Sequence, residues 1–320
     1  MSGLALAVLG SAALLAGLLL VAAVFTWVER RLLGLFQERL GPNRAGPGGS
    51  LQWVADIGKI LTKEDWTPPH ADRAVFVLAP AAATAPVLAG FALAPISEAG
   101  ALAPLPGGLL LVFGMTGLTA YAVILGGWAS NSKYSLLGGM RAAAQMLSYE
   151  VFLGLAALGA VIQAGTLDPG GIVTAQREGW FLGPQALGAA LFLIGGVAAA
   201  HRLPFDLPEA ENDLTAGYHS EYSGMKFGLF FVGEYLLILL VSALFATLFL
   251  GGWLGPWLPG AVWFGLKAGA VALLFVLLRA ALPRPTYDQL MRFAWTVCLP
   301  LALLNVLATG AVVVLAGGGA

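Results

Sequence analysis

LALAVLGSAALLAGLLLVAAVFTWV, residues 4–28, contains no charge and is followed at once by Glu29-Arg30-Arg31. A helix rising 1.5 Å per residue needs about 20 apolar residues to cross the hydrocarbon of a bilayer. The stretch is too long for the apolar region of a cleaved signal peptide, and no basic residue precedes it. It therefore reads as a retained first span. Its charges follow it, so its N-terminal end is expected on the outer side of the membrane.

Further along, similar runs recur at about 74–94, 107–128, 146–165, 184–200, 227–250, 260–281 and 294–316. Of the 320 residues, 59% are hydrophobic and only 10% charged, against about 25% charged in a soluble domain. The mean hydropathy is +0.85. In lipid, every backbone polar group must be paired within the chain, which helices do and open strands do not. The expectation is an all-α polytopic membrane protein of about eight transmembrane helices, forming a single membrane domain over 1–320. No soluble domain, tandem repeat or low-complexity tail interrupts it.

The connecting segments alternate in character. Residues 29–73, 129–145, 201–226 and 282–293, with Arg279 at the adjoining helix end, hold 14 of the 16 Lys and Arg; Arg177 and Lys267 are the exceptions. By the positive-inside rule this set faces the cytoplasm and both termini lie outside. Within the first loop, Leu51, Val54, Ile57, Ile60 and Leu61 repeat at helical spacing with Asp56, Lys59 and Lys63 between them. That pattern predicts an amphipathic helix lying along the membrane face. The run Gly41-Pro42-Asn43-Arg44-Ala45-Gly46-Pro47-Gly48-Gly49 before it forms turns, and Pro68-Pro69 ends the segment.

Several function classes are excluded. The single cysteine, Cys298, allows no disulfide within the chain and no four-cysteine iron–sulfur site. His70, His201 and His219 lie in polar segments, so no intramembrane pair is available to hold a haem. The net charge of −1 and the lack of a basic stripe argue against a nucleic-acid partner. No phosphate-binding loop, dinucleotide fingerprint, zinc spacing or nucleophile–histidine–acid arrangement stands out.

The densest polar segment is 201–226, with Asp206, Glu209, Glu211, Asp213 and Glu221 against Arg202 and Lys226. Carboxylates crowded at a low-dielectric boundary repel one another, and some acquire raised pKa values as a coupled set. A solvated acidic loop is one possibility. The interleaved Pro204, Phe205, Leu207, Pro208 and Leu214 fit a loop packed against something. Glu150 and Glu234 fall within or at the edge of spans, beside Tyr149 and Tyr235. Such carboxylates are proton-relay or ion sites by default, or helix-end side chains reaching the headgroups. Two basic clusters, Arg30, Arg31, Arg39 and Arg44 on the first loop and Arg279, Arg284 and Arg292 near the last, are topogenic charges that also suit docking.

These segments resemble, closely and in order, the H-type membrane subunits of proton-pumping NADH:quinone oxidoreductase, the respiratory complex I whose mitochondrial counterpart is subunit 1. The resemblance rests on Glu29-Arg30-Arg31, Gln37-Glu38-Arg39-Leu40-Gly41-Pro42-Asn43-Arg44-Ala45-Gly46-Pro47, and Leu51-Gln52 through Lys63-Glu64-Asp65. It continues in Gly127-Trp128-Ala129-Ser130-Asn131-Ser132-Lys133-Tyr134, Arg141-Ala142-Ala143-Ala144-Gln145 and Ser148-Tyr149-Glu150. The acidic loop from Pro204-Phe205-Asp206-Leu207 to Glu221-Tyr222 and the run Tyr287-Asp288-Gln289-Leu290-Met291 complete it. The resemblance implies an eight-helix subunit of an enzyme complex in a bacterial inner membrane, at the junction of the redox and membrane arms. Quinone would enter this subunit from the lipid. The chain itself would hold no redox centre and no metal. NADH, FMN and iron–sulfur clusters would sit on partner subunits, and the partners would include the hydrophilic quinone-site and iron–sulfur subunits of the peripheral arm. Small membrane subunits would lead on to antiporter-like ones. By position, Glu29, Arg30, Arg39, Asp56, Arg202, Phe205, Asp206 and Arg279 would serve the quinone path. Tyr149, Glu150, Glu209, Glu211, Asp213, Glu221 and Glu234 would serve the proton relay.

The chain departs from the family pattern at two points. The run Ala199-Ala200-His201-Arg202 has Ala199 where an acid is usual, with His201 a weak substitute as a titrating group, and Thr286 stands where a second arginine is usual. The family also has relatives linked to ferredoxin or to hydrogenases, and stretches such as Lys133 to Gly139 look as much like a photosynthetic branch. A stand-alone proton-coupled transporter using Glu150 and Glu234 is the alternative from another class, although the two halves show none of the internal symmetry common in transporters.

Overall fold

A computed structural model of the chain describes residues 3–98, 100–209 and 215–317. In chain order the described helices are α1 (Gly3–Phe36), α2 (Gln52–Thr62), α3 (Arg73–Phe91), α4 (Gly108–Ala129), α5 (Lys133–Ala164) and α6 (Pro169–Ala175). They continue with α7 (Ala186–Ala199), α8 (Gly224–Phe249), α9 (Gly260–Ala281), α10 (Tyr287–Phe293) and α11 (Leu299–Gly317). A π-turn over Ala294–Cys298 joins α10 to α11. Counting that rod once, seven helices among the described residues are long and apolar enough to cross a membrane. The fold is thus the all-α polytopic one.

The eighth apolar run, predicted at 184–200, is α7. Its 14 residues reach only about 21 Å, short of the roughly 30 Å of hydrocarbon. Irregular backbone survives at membrane depth where protein covers it, and both ends of α7 are covered. Before it, the buried Gln185 donates to Thr309 Oγ1 at 2.8 Å and accepts from Asn305 Nδ2 at 3.0 Å, both on α11. After it, Gln145 of α5 donates at 2.8 Å to the carbonyls of both Ala198 and Phe205.

Several helices run past the apolar stretches that mark them. The fourth span begins at Lys133, not near 146, so most of the predicted loop 129–145 is helix. Arg141-Ala142-Ala143-Ala144-Gln145 contains strong helix formers, and nothing breaks the chain until Gly165, which closes α5 in the left-handed region at φ 68°. Likewise α1 continues to Phe36, and α10 occupies residues counted as loop, starting in a capping box formed by Thr286 and Gln289. Charge marks where a helix leaves the lipid, and the helix continues beyond that point.

The core gathers around α8, of whose apolar window 72% is buried, while α1, at 11%, lies at the edge. Phe192 of α7 meets Phe245 and Phe249 of α8 at ring separations of 6.3 and 5.7 Å. At the far end of α8, the Lys267 ammonium of α9 donates to the carbonyls of Leu250, Gly252 and Leu254 at 2.6, 3.0 and 2.6 Å. It thereby caps the helix C-terminus, where a cation is favoured.

The amphipathic helix expected in the first loop is α2. Its Leu51–Leu61 apolar face points outward, with Leu51, Val54, Ile57 and Leu61 40–62% exposed. Ile60 turns inward against α8, where only a glycine fits, because a Cβ on Gly228 would lie 2.7 Å from Ile60 Cγ2. Lys226 then ties the end of the loop to α8 through Asp65 Oδ1 (2.9 Å) and Thr67 Oγ1 (2.8 Å).

Candidate functional site

A cavity of about 760 Å³ opens among α1, α2, the 201–209 segment, α8 and α9, at the end of the bundle that carries the basic loops. That volume lies within the 300–1,000 Å³ typical of small-molecule sites. Glu29, in the last turns of α1, is only 3% exposed. It accepts hydrogen bonds from the Tyr235 hydroxyl of α8 and the Arg279 guanidinium of α9. Arg30, one residue on, pairs with Asp56 of α2.

Arg202 stands at the centre. Its guanidinium lies 4.3 Å from the Tyr235 ring centroid, 3.9 Å from Glu29 and 3.7 Å from Glu234. Burial works against its charge, but Tyr235, Glu29 and Glu234 around it hold its pKa above the usual arginine range. At those separations the carboxylates neutralise it without direct hydrogen bonds, and Arg202 Nε and Nη2 are buried with no hydrogen-bond partner among the described residues. Asp206 binds Arg284 through Oδ2 at 2.8 Å, while its Oδ1 has no partner among them. Burial raises the Asp206 pKa, with Arg284 pulling it back in part.

Behind Arg202 two carboxyls share one phenol. Tyr218 Oη lies 3.1 Å from Glu209 Oε1 and 2.9 Å from Glu234 Oε1. One phenolic proton is shared between two carboxyls here, an arrangement that favours keeping a proton on one of them. Burial raises the Glu209 pKa accordingly, and pushes the Tyr218 hydroxyl far above the usual tyrosine range. The phenol is placed by a 3₁₀ turn, Gly217–His219. Gly217 has φ 63°, and a Cβ there would overlap the Pro208 carbonyl at 1.7 Å. From the other side Gly138 of α5 admits the turn, because its own Cβ would sit 2.6 Å from Tyr218 N. His201 is 4% exposed, with Nε2 unpartnered among the described residues. Burial lowers its pKa to about 4, helped by His219 and Arg202.

Glu209, His219 and Glu234 place one potential ligand atom each within 4.8 Å of one another. Arg202 lies 3.7 Å from Glu234 and supplies a cation to this group.

The sequence profile of the NADH dehydrogenase family matches residues 9–310. The chain belongs to that family. It is 65% identical over 314 residues to the NADH-quinone oxidoreductase subunit designated H 1 of Rhodopseudomonas palustris (strain HaA2), covering 98% of both chains. It is 65% identical over 304 residues to the NADH-quinone oxidoreductase subunit designated H 2 of R. palustris (strain ATCC BAA-98 / CGA009), covering 95% of both. With the counterpart designated H 2 of Cereibacter sphaeroides (strain ATCC 17029 / ATH 2.4.9) the identity is 62% over 297 residues, 92% of this chain and 93% of the other.

In this family member the chamber brings together Glu29, Arg30, Arg39, Asp56, Arg202, Asp206 and Arg279 from the expected quinone path, with Glu209 and Glu234 from the expected relay. Phe205 turns instead toward Tyr149, at a ring separation of 5.4 Å. Tyr149 donates at 3.1 Å to the Leu290 carbonyl of α10, and neither residue lines the chamber. Glu221 does not line it either. Glu150 lies deeper along α5, 3.4 Å from Thr116 Oγ1, at a separate cavity of about 20 Å³. Glu211 and Asp213 fall outside the described residues. Tyr218 and His219 join the site without having been assigned a role from sequence, and so does Tyr235, marked there only as the neighbour of Glu234; Arg284, expected only as a topogenic or docking charge, joins it through Asp206.

Proposed function

We propose that this chain is the quinone-chamber and proton-coupling membrane subunit of an NADH–quinone oxidoreductase. The observation that carries the reading is the set of unpartnered buried atoms on one short turn: His201 Nε2, Arg202 Nε and Nη2, and Asp206 Oδ1. A buried polar atom without a partner costs about 1–3 kcal/mol, and here the donors and the acceptor border one cavity. A quinone carbonyl accepts from the Arg202 guanidinium, and the quinol hydroxyl formed on reduction donates to Asp206 Oδ1. Leu33, Ile60, Phe227 and Phe231 supply the apolar wall that an isoprenoid tail needs.

Reduction consumes protons as well as electrons. The electrons come from an iron–sulfur centre on a hydrophilic partner subunit. Protons are at hand in the Glu209–Tyr218–Glu234 cluster behind Arg202. When one leaves, the group becomes more negative beside Arg202, and that change of charge is what neighbouring carboxylates respond to. Small membrane subunits leading to antiporter-like ones would receive it. The chain lies in a bacterial inner membrane with both termini outside, in keeping with its 14 cations on the chamber side.

Asp206→Asn in the assembled complex tests the reading. Quinone reduction should fall about tenfold or more, on the order of 1.4 kcal/mol of lost stabilisation. Electron delivery from NADH to a water-soluble artificial acceptor should stay at the wild-type rate, because it bypasses the chamber. Wild-type quinone turnover in that variant would remove Asp206 from the site.

A further inference from the structure

Two small cavities continue inward from the chamber. The first, about 30 Å³, shares His201, Phe230 and Glu234 with the chamber wall. The second, about 20 Å³, shares Met146, Ala199 and Leu237 with the first and ends at Glu150. A buried water needs roughly 10–15 Å³ of such space and polar partners. The first cavity therefore has room for about two waters and the second for about one. The first offers Thr119, Tyr218, Glu234 and His201 as partners, and the second Thr116 and Glu150. Ala199, with only a methyl group, lines both of them.

Of the two titratable groups at the inner mouth, Glu234 is engaged at both oxygens, by Tyr218 and by Arg202. His201 is not: its Nε2 has no hydrogen-bond partner among the described residues, although the residue is 4% exposed. Its backbone lies in the left-handed region at φ 49°, and its own turn is held to α5 by the two bonds from Gln145. The groups around it are Arg202 on the same turn, Tyr218 and His219 on the 3₁₀ turn, Glu209, and Glu234 on α8.

We propose that His201 carries protons between the chamber and Glu150, through water held at Ala199. This rests on the quinone-chamber function proposed above. A neutral imidazole accepts a proton at one ring nitrogen and releases the proton of the other to the cavity water. The water passes a proton to the Glu150 carboxylate. Return of the imidazole to its first tautomer resets it, with no net change at His201. Its low pKa keeps it neutral at pH 7, so both functions are present at once.

The test uses the assembled complex in closed membrane vesicles, measuring proton uptake and quinone reduction together for wild type, His201→Phe and His201→Phe/Ala199→Glu. His201→Phe should slow coupled proton uptake by roughly a hundredfold, the lower end of what a positioned acid–base group contributes. The second change, which puts a carboxyl group into the same two cavities, should restore most of it. Wild-type uptake in His201→Phe overturns the proposal. So does a loss that Ala199→Glu fails to restore, because that is a packing effect. If wild-type vesicles show no uptake linked to quinone reduction, the chamber function falls and this inference falls with it; if they do and His201→Phe matches them, only the inference falls.

Discussion

Glu29 ties three elements of the chamber wall together, α8, α9 and the 201–209 segment. It is a single carboxylate, 3% exposed, that takes hydrogen bonds from Tyr235 and Arg279 and lies 3.9 Å from Arg202. Removing one partner of a buried ion pair leaves an uncompensated charge and costs about 3–5 kcal/mol. Glu29→Gln should therefore lower the thermal midpoint of the solubilised complex. Glu29→Gln combined with Arg279→Gln should cost less than the sum of the two single changes, because they remove one shared interaction. Strict additivity would show that the two side chains do not interact. His201 makes a second prediction at this scale. Its pKa is about 4 in the folded chain against 6.5 when unperturbed, so the unfolded chain binds the extra proton between those values. The stability it contributes is complete above pH 6.5 and is lost as the pH falls through about 4, a difference of roughly 3 kcal/mol. His201→Asn should flatten that part of the pH profile of thermal unfolding. Glu209 acts with the opposite sign, since its raised pKa makes stability decline as the pH rises through the folded value.

At the scale of the helix, α5 carries its own control. A Cβ on Gly159 would sit 2.3 Å from Gln185 Oε1 and 2.7 Å from Asn305 Nδ2, whereas one on Gly154 would meet nothing within 4 Å. Gly159→Ala should disrupt the Gln185–Asn305–Thr309 cluster that holds the start of α7 and reduce the yield of folded protein. Gly154→Ala should match wild type or gain about 0.5–1 kcal/mol from helix propensity. Equal yields for the two variants would show that the cluster is dispensable. Elements of this kind mark how far the sequence could be read. The eight apolar runs and the amphipathic α2 were legible because lipid and interface impose a simple pattern of polarity. The helical continuation of α5 through Lys133 and Arg141 was not, because charge in a sequence marks the end of the lipid and carries no signal for the end of the helix. Within the site, Glu29, Arg202, Asp206 and Glu234 stood out as charges where charge is costly. Tyr218 and Tyr235 did not, since a tyrosine at a membrane boundary is common and only the fold reveals that its hydroxyl meets carboxylates. The 199–201 departure was visible, but the cavities that give it meaning arise from α4, α5, α7 and α8 packed together.

At the scale of the whole molecule, the prediction is orientation. The native cysteine, Cys298, is buried, so introduced cysteines report on a silent background. Arg44→Cys, on the exposed turn before α2, should react with an impermeant thiol reagent only from the cytoplasmic side, and Arg177→Cys, exposed after α6, only from the other side. Labelling of both from one side would refute the arrangement in which the acidic chamber opens toward the cytoplasm. The same bundle places the chamber at an end: α8 is buried along most of its length, and the large open volume lies among α1, α2, the 201–209 segment, α8 and α9.

Lys267 bears on that orientation in another way. Its ammonium is spent on three peptide oxygens at the tip of α8, and the residue is buried, so it presents no free positive charge at the protein surface. Of the two cations that lie apart from the basic set of segments, one is thus masked by the chain's own backbone, and Arg177 is the exposed one. Replacing Lys267 by methionine would leave the polarity of insertion unchanged and expose instead the raw carboxyl end of the most deeply embedded rod.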